Sequence, residues 1–231
     1  MKTIGLIGGM SWESTLPYYR HINEAVRQRL GGLHSARLLL FSVDFADIER
    51  LQRSGDWDGA GQRLGEAAQV LQRAGADFLV LATNTMHRVA GAIESAVDIP
   101  LLHIVEPTAA AIRAAGLHRV GLLGTRFTME QPFYRERLEN HHGIQVLIPD
   151  EADRQLVHRV IYEELCLGQL HEASRLAYRQ VIERLVKRGA EAVILGCTEI
   201  GLLLGPGDAG VALLDTCRLH AEAAAEAALA G

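Results

Sequence analysis

Two short segments carry residue types that could perform chemistry, and they recur at a fixed spacing. Thr83-Asn84-Thr85 follows the apolar run 75–82, and Cys197-Thr198-Glu199 follows a matching run 114 residues later. A hydroxyl and a thiol at matched positions could act on opposite faces of one carbon atom, one removing a proton and the other returning one. Such a pair would invert the configuration of a carbon that bears a hydrogen.

The two groups differ in acidity, so we expect them to play different parts. A thiol pKa of about 8.5 can be lowered at a helix N-terminus, and a helix is predicted directly after Cys197. We therefore expect Cys197 to be a thiolate near neutral pH and to remove the proton. The Thr83 hydroxyl is too weak an acid to be ionised at rest, but it can donate a proton, directly or through water. One enantiomer should then be processed much better than its mirror image.

An internal duplication is expected to position these segments. The run Ile4–Gly8 matches Val120–Gly124 in the same order and at nearly the same offset as the first match. One match alone would show only that buried parallel strands resemble each other. Two matches predict two similar α/β lobes, each a parallel sheet flanked by helices, related by an approximate two-fold axis with the active site in the cleft between them.

The pattern of apolar residues predicts where strands and helices lie. Strands are expected at 3–8, 37–43, 77–82, 101–104, 119–124, 144–148, 191–195 and 211–214. Helices are expected at 16–30, 59–74, 85–97, 131–141, 152–166 and 169–188. The alanine-rich segment from Thr216 to Ala230 could cross back onto the first lobe. The first lobe is therefore expected to comprise 1–99 plus 215–231, and the second 100–214.

Ligands of open parallel sheets bind beyond the carboxyl ends of the strands, and four loops are expected there. They are Gly8–Ser11, Thr83–Thr85, Thr125–Thr128 and Cys197–Glu199. Each precedes a predicted helix N-terminus, which attracts a carboxylate, although each alone is also compatible with an ordinary turn or cap. The candidate substrate-binding residues are Met10, Gln52, Asn84, Thr85, Thr125, Thr128, Thr198 and Glu199. Of these, Asn84 and Glu199 would bind an ammonium group or position the acids.

Composition excludes several classes of function. The 231 residues are 48% hydrophobic and 22% charged with a net charge of -5, which disfavours binding to nucleic acid. No apolar run is long enough to span a membrane, and three cysteines without C-x-x-C spacing suit a reducing compartment. The protein is therefore expected to be soluble and cytoplasmic. Lys2 and Lys187 lie outside the candidate loops, which disfavours a pyridoxal cofactor, and the histidines lack metal-binding spacing.

At these residues the sequence resembles the aspartate/glutamate racemase family, whose two half-motifs read C-N-T and G-C-T-E or G-C-T-H. The loops Gly8–Thr15 and Gly124–Met129 also resemble that family, so the resemblance covers essentially the whole chain. It implies cofactor-independent proton transfer at the α-carbon of an acidic amino acid, with two cysteines as acid and base, usually in a dimer. Thr83 stands where the family has its first cysteine.

The substrate is less well defined than the reaction. Related racemases often have a lysine just before the glycine matched to Gly168, but Leu167 stands here and Gln52 is neutral; Arg126 is a possible compensating cation. Aspartate or glutamate remains the first expectation, and family analogy favours the L-enantiomer. The alternatives are a broad-specificity racemase of neutral amino acids, a decarboxylase that protonates a carbanion with one thiol, and a non-catalytic amino-acid-binding protein.

Overall fold

A computed structural model describes residues 1–230, and the chain divides into two compact units. Unit 1 contains Met1–Ile104 and the segment from His220 onward, and unit 2 contains Val105–Leu219. Each unit has a four-stranded, fully parallel sheet flanked by helices. The predicted α/β class is confirmed.

Unit 1 is built around a sheet with the strand order β2-β1-β3-β4. Its strands are β1 (Ile4–Gly8), β2 (Leu38–Ser42), β3 (Phe78–Leu81) and β4 (Leu101–Leu102). Its helices before residue 105 are α1 (Trp12–Leu30), α2 (Phe45–Ser54), α3 (Trp57–Arg73), a 3-10 helix (Thr85–Val89) and α4 (Ala90–Ser95). Every residue of β1 and β3 is buried, as expected for central parallel strands with helices on both faces.

Unit 2 repeats this arrangement with the strand order β6-β5-β7-β8. Its strands are β5 (Arg119–Gly124), β6 (Gln145–Leu147), β7 (Ala192–Gly196) and β8 (Ala212–Asp215). Its helices are α5 (Val105–Ala114), α6 (Arg126–Glu130), α7 (Pro132–His142), α8 (Glu151–Glu163), a 3-10 helix (Leu165–Leu167), α9 (Glu172–Lys187) and α10 (Ile200–Leu203). The last helix, α11 (Thr216–Leu229), begins in unit 2 and belongs to unit 1 from His220 onward. The equivalent strand orders match the duplication that the sequence predicts.

The unit boundaries differ from the predicted lobe boundaries by five residues at each crossing. The sequence places the crossings after 99 and after 214, whereas the structure has them after Ile104 and Leu219. The reason for the first difference is pairing, because β4 runs parallel to β3 with Val80 opposite Leu102 and so belongs to the sheet of unit 1. The second difference arises because the first turn of α11 belongs to unit 2, where the Thr216 hydroxyl donates to the carbonyl of Leu195 in β7 at 2.8 Å.

All eight predicted strands are present, but the helices differ from the predicted ranges. Those ranges do not include α2, α5, α6 or α10. They also treat 85–97 and 152–166 as single helices, where the structure has a 3-10 helix followed by α4 and α8 followed by a 3-10 helix. Within residues 1–230, every helix is too short or too polar to cross a membrane.

Candidate active site

The carboxyl ends of β1 and β3 carry the candidate residues of unit 1. These strands are neighbours in register, with Ile7 opposite Leu81, so the loops that follow them begin side by side. The first loop turns at Gly9, whose φ of +91° favours glycine. Met10 comes next and is buried, with 4% of its surface exposed.

The second loop of unit 1 holds Thr83 by its backbone. Its N–H donates to the carbonyl of Leu81 at 2.8 Å, and its carbonyl lies 2.7 Å from Nδ1 of His87. Thr83, Asn84 and Thr85 are all buried. Both backbone polar groups of Thr83 are therefore bonded, which restrains its backbone.

Gln52 lies beside this loop rather than in solvent. It is on α2, which begins after Asp44 caps the N–H of Ala46 at 3.0 Å, and only 4% of Gln52 is exposed. Its Nε2 approaches Sδ of Met86 at 2.9 Å, in the 3-10 helix that follows Thr83. Gln52 is therefore a buried amide beside this loop and not an exposed helix residue.

Unit 2 positions Cys197 in the equivalent way. Gly124 at the end of β5 pairs with Gly196 at the end of β7, and a Cβ added to Gly124 would lie 2.7 Å from the carbonyl oxygen of Gly196. Only glycine permits this approach, which brings the loop beginning at Thr125 against the loop beginning at Cys197. In the first of these loops, Thr125 Oγ1 accepts the N–H of Thr128 at 3.3 Å and caps α6.

Cys197 is buried and bonded to an acidic neighbour. Its Sγ donates to Oε2 of Glu199 at 2.9 Å, and the hydroxyl of Thr198 donates to the same oxygen at 2.9 Å. Burial raises the pKa of the Cys197 thiol well above its ordinary value, and the Glu199 carboxylate raises that pKa further. The free protein therefore holds Cys197 as a thiol.

The predicted resting thiolate of Cys197 is thus wrong. The prediction depended on a helix starting directly after Cys197, but α10 begins at Ile200 and is only four residues long. One turn has a weak dipole, and it cannot offset burial together with an adjacent carboxylate. The segment after Thr83 is likewise a short 3-10 helix rather than an α-helix, so neither motif has the strong helix N-terminus that was expected to hold a carboxylate.

The candidate residues fall into two groups, one in each unit. Unit 1 contains the group Met10, Gln52, Thr83, Asn84 and Thr85; unit 2 contains the group Thr125, Thr128, Cys197, Thr198 and Glu199. Arg126 extends its guanidinium over the ring of Phe127, 5.0 Å from the centroid. Residues 1–230 contain no cluster of three or more His, Cys, Asp or Glu side chains that could hold a metal ion.

One residue that contacts the motifs was absent from the predicted site. His87 bonds the Thr83 carbonyl, and its position four residues later, one helical turn on, was the available signal. From sequence alone, a packing or capping role is the usual interpretation of such a histidine. The sequence does not show that its hydrogen-bond partner is the carbonyl of Thr83.

Comparison with known proteins extends the similarity over both units. A family model described as Asp/Glu/Hydantoin racemase matches residues 7–224. The broad-specificity amino-acid racemase RacX of Bacillus subtilis (strain 168) is 25% identical over 222 residues, covering 92% of each chain. A solved structure of a candidate Asp/Glu racemase from Yersinia pestis is 57% identical, with a TM-score of 0.91, over 99% of this chain and 100% of that one. An aspartate racemase homologue from Pyrococcus horikoshii OT3 is 34% identical, with a TM-score of 0.84, over the same shares.

Proposed function

Because the chain belongs to the Asp/Glu/hydantoin racemase family, whose members are isomerases, we propose that it racemises aspartate or glutamate by cofactor-independent proton transfer at the α-carbon. In this proposal Cys197 acts on one face of the α-carbon and Thr83 on the other. The L-enantiomer is the preferred substrate in this proposal, on the grounds of family analogy and the abundance of L-amino acids.

The observation that carries the proposal is the equivalence of the two groups in the two sheets. Thr83 lies two residues after Leu81, which pairs with β1, and Cys197 lies two residues after Leu195, which pairs with β5. The duplicated fold thus presents a hydroxyl and a thiol at the same point of each repeat. Acid and base groups at equivalent points are what stereoinversion requires.

Glu199 supplies the step that makes Cys197 a base. The thiol proton passes along the 2.9 Å hydrogen bond to Oε2 of Glu199, leaving a thiolate and a neutral carboxylic acid. The thiolate then takes the α-proton, and the Thr83 hydroxyl delivers its own proton to the opposite face and is reprotonated by water. The hydroxide that this leaves takes the proton from Glu199, which restores the carboxylate beside the Cys197 thiol. The reverse reaction runs the same steps backward, so that the Thr83 alkoxide removes the α-proton and the Cys197 thiol donates its proton to the carbanion.

Substrate binding is assigned to the remaining buried polar groups. Asn84 and Thr85 in unit 1 and Thr125, Thr128 and Thr198 in unit 2 would bind the α-carboxylate and ammonium, while Gln52 and Met10 would contact the side chain of the substrate. Arg126 is the cation available in these loops to an acidic side chain. These assignments follow from burial and from position at the carboxyl ends of the strands.

A broad-specificity racemase of neutral amino acids is the second candidate. It is favoured by the similarity to RacX over 92% of the chain and by two uncharged residues, the amide Gln52 and the exposed Leu167. A substrate panel of acidic and neutral amino acids separates the two candidates.

We also infer that the chain works as a cytoplasmic homodimer. Three free cysteines suit a reducing compartment. On α1, the side chains of Trp12, Leu16 and Tyr19 lie one helical turn apart and are each more than half exposed, which leaves apolar surface for a second copy. Light scattering measures whether the mass is 25.2 kDa or twice that value.

Deuterium incorporation at the α-carbon in heavy water tests the proposed reaction. We expect Cys197→Ser to lower exchange by about 10²–10⁴-fold, the usual contribution of a general acid or base. Cys166→Ser is the matched control and should keep exchange within a few-fold of the parent, because Cys166 raises the pKa of Cys197 less than burial and Glu199 do. Unchanged exchange in Cys197→Ser would contradict the proposal, and release of carbon dioxide from a malonate-like substrate would instead identify a decarboxylase. Ligand binding without any exchange would identify a binding protein.

A further inference from the structure

Three buried imidazole rings lie behind the Thr83 loop in unit 1, and the proposed reaction uses none of them. His87, His103 and His220 are each less than 10% exposed. The ring of His87 contacts that of His103, with 4.4 Å between centroids, and lies 5.9 Å from that of His220. Buried imidazoles need hydrogen-bond partners for their nitrogen atoms, and the partners of His87 and His220 indicate the role of His87.

The hydrogen bonds of His87 define its tautomer. The backbone N–H of Ile104 points at Nε2 at 3.1 Å, so Nε2 must carry a lone pair. The proton therefore resides on Nδ1, which donates to the carbonyl oxygen of Thr83 at 2.7 Å. A protonated ring would place one N–H against the N–H of Ile104, so the arrangement selects the neutral ring.

The segment that orients His87 is itself fixed. His220 lies on α11, and its Nε2 donates to the carbonyl of Leu102 at 2.8 Å, while the Tyr18 hydroxyl donates to its Nδ1 at 2.9 Å. Leu102 ends β4, two residues before Ile104. The segment 102–104 is therefore bonded at both of its ends: the Leu102 carbonyl to His220 and the Ile104 N–H to His87. The bond to His220 holds in place the Ile104 N–H that selects the tautomer of His87.

The bond from His87 fixes the part of Thr83 that sets the direction of its hydroxyl. The Thr83 N–H is already bonded to Leu81, so His87 supplies the second backbone constraint. Threonine is stiff at χ1 because it is branched at Cβ, and its Oγ1 therefore follows its backbone. A misplacement of about 1 Å at a reacting group can cost about 10²-fold in rate.

We propose that His87 is a positioning residue for proton transfer by Thr83: its Nδ1–H, oriented by the N–H of Ile104, holds the Thr83 carbonyl and directs the hydroxyl at the α-carbon. This role rests on the proposed function of Thr83. It predicts that His87 affects inversion of configuration without affecting proton exchange at the face served by Cys197.

Two conservative variants separate the two hydrogen bonds of His87. In His87→Asn, the side-chain nitrogen occupies the place of Nδ1 and can still donate to Thr83. In His87→Gln, the side-chain oxygen reaches the place of Nε2 and can still accept from Ile104. Each variant loses one buried hydrogen bond, so each is the stability control for the other.

The measurement is made in heavy water on the enantiomer whose proton Cys197 removes. Deuterium in substrate of unchanged configuration reports the Cys197 face, and deuterium in inverted product reports delivery by Thr83. We expect His87→Gln to lower inversion by about 10²-fold while exchange with retention stays within a few-fold of the parent. His87→Asn should keep both rates within a few-fold of the parent.

Equal losses of inversion and retention in His87→Gln, or identical behaviour of the two variants, would show that His87 serves only packing and would overturn the proposal. Thr83→Ala distinguishes this failure from failure of the proposed function. If inversion persists in Thr83→Ala, Thr83 is not the proton donor; if Thr83→Ala loses inversion but His87→Gln keeps it, only the role of His87 fails. Should the variants not fold, nitrogen NMR of the imidazole in the parent protein still decides, because a proton on Nε2 instead of Nδ1 overturns the proposal.

Discussion

The acidity of Cys197 depends on its burial and on Glu199, two residues away. The thiol is buried and donates a hydrogen bond to the Glu199 carboxylate. A buried thiol next to a carboxylate is a poor nucleophile at rest, which protects it from oxidation and alkylation. In the proposed mechanism the same carboxylate accepts the thiol proton and so allows Cys197 to act as a base.

We predict that Glu199→Gln changes thiol reactivity and turnover in opposite directions. Removing the negative charge should lower the pKa of Cys197, so alkylation by iodoacetamide should begin at lower pH. Racemisation should nevertheless fall by about 10²-fold, because no group remains to take the thiol proton. Alkylation of the Cys197 peptide is followed by mass spectrometry across a pH series.

The exposed Glu163 provides the matched variant, and Glu163→Gln should change neither quantity. A parallel fall in alkylation and turnover in Glu199→Gln would indicate a damaged loop rather than a lost proton acceptor.

Sequence was sufficient to select Cys197 and Thr83 as candidates but not to give the state of their protons. The repeat placed both residues after equivalent strands, because strand patterns and loop residues are local properties of a sequence. The pKa of Cys197 depends on burial and on the carboxylate oxygen that its sulfur contacts, which local patterns do not contain. The hydrogen-bond partner of His87, the backbone carbonyl of Thr83, is likewise a contact that the sequence pattern does not specify.

At the scale of elements, the turn after β1 depends on a close approach between backbones. Gly9 has a φ of +91°, and a Cβ there would lie 2.7 Å from the nitrogen of Val43, next to the end of β2. Gly31 at the end of α1 also has a positive φ, of +74°, but a Cβ there would meet nothing within 4 Å. A comparison of Gly9 with Gly31 therefore separates two free-energy costs of adding a Cβ: the strain of a positive φ, which both positions share, and the steric contact, which only Gly9 has.

We predict that Gly9→Ala lowers the free energy of unfolding by more than about 2 kcal/mol, whereas Gly31→Ala lowers it by about 1 kcal/mol. The larger loss arises because the backbone of Val43 cannot move without disturbing the pairing of β1 with β2. Denaturant unfolding of both variants provides the comparison. Equal losses would mean that the backbone angle alone accounts for glycine at position 9.

Most elements were predictable from apolar spacing, and the exceptions have physical reasons. The buried residues Val105, Thr108, Ala109 and Ile112 of α5 have helical spacing, but Thr108 and Ala109 contribute little hydrophobic signal. The position of β4 in unit 1 could not be predicted, because two paired residues define it and pairing is a long-range contact.

At the scale of the whole molecule, His220 makes stability depend on pH. Burial lowers the pKa of His220 to about 4, whereas an imidazole in the unfolded chain has a pKa of about 6.5. Between these two values the unfolded chain binds the extra proton. The contribution to stability is therefore complete above pH 6.5 and is lost as the pH falls towards 4, by about 3 kcal/mol in all.

We predict that His220→Asn flattens the fall in unfolding free energy between pH 6.5 and pH 4, because the titrating group is gone. Stability at neutral pH should also drop, since the bond from Tyr18 is lost. His34→Asn removes an exposed histidine and should leave the pH dependence as in the parent. An unaltered slope in His220→Asn would assign the pH dependence to other groups.

Because α11 returns to unit 1 from His220 onward, unit 1 cannot complete its folding until the last part of the chain has been translated. The partner that Tyr18 requires is translated only after all of Val105–Leu219, which at 5–20 residues per second takes roughly ten seconds. During that interval the nascent N-terminal sheet lacks the helix that buries one of its flanks. Unit 2, by contrast, is contiguous and can complete its own core first, so the half of the protein made first is the half finished last.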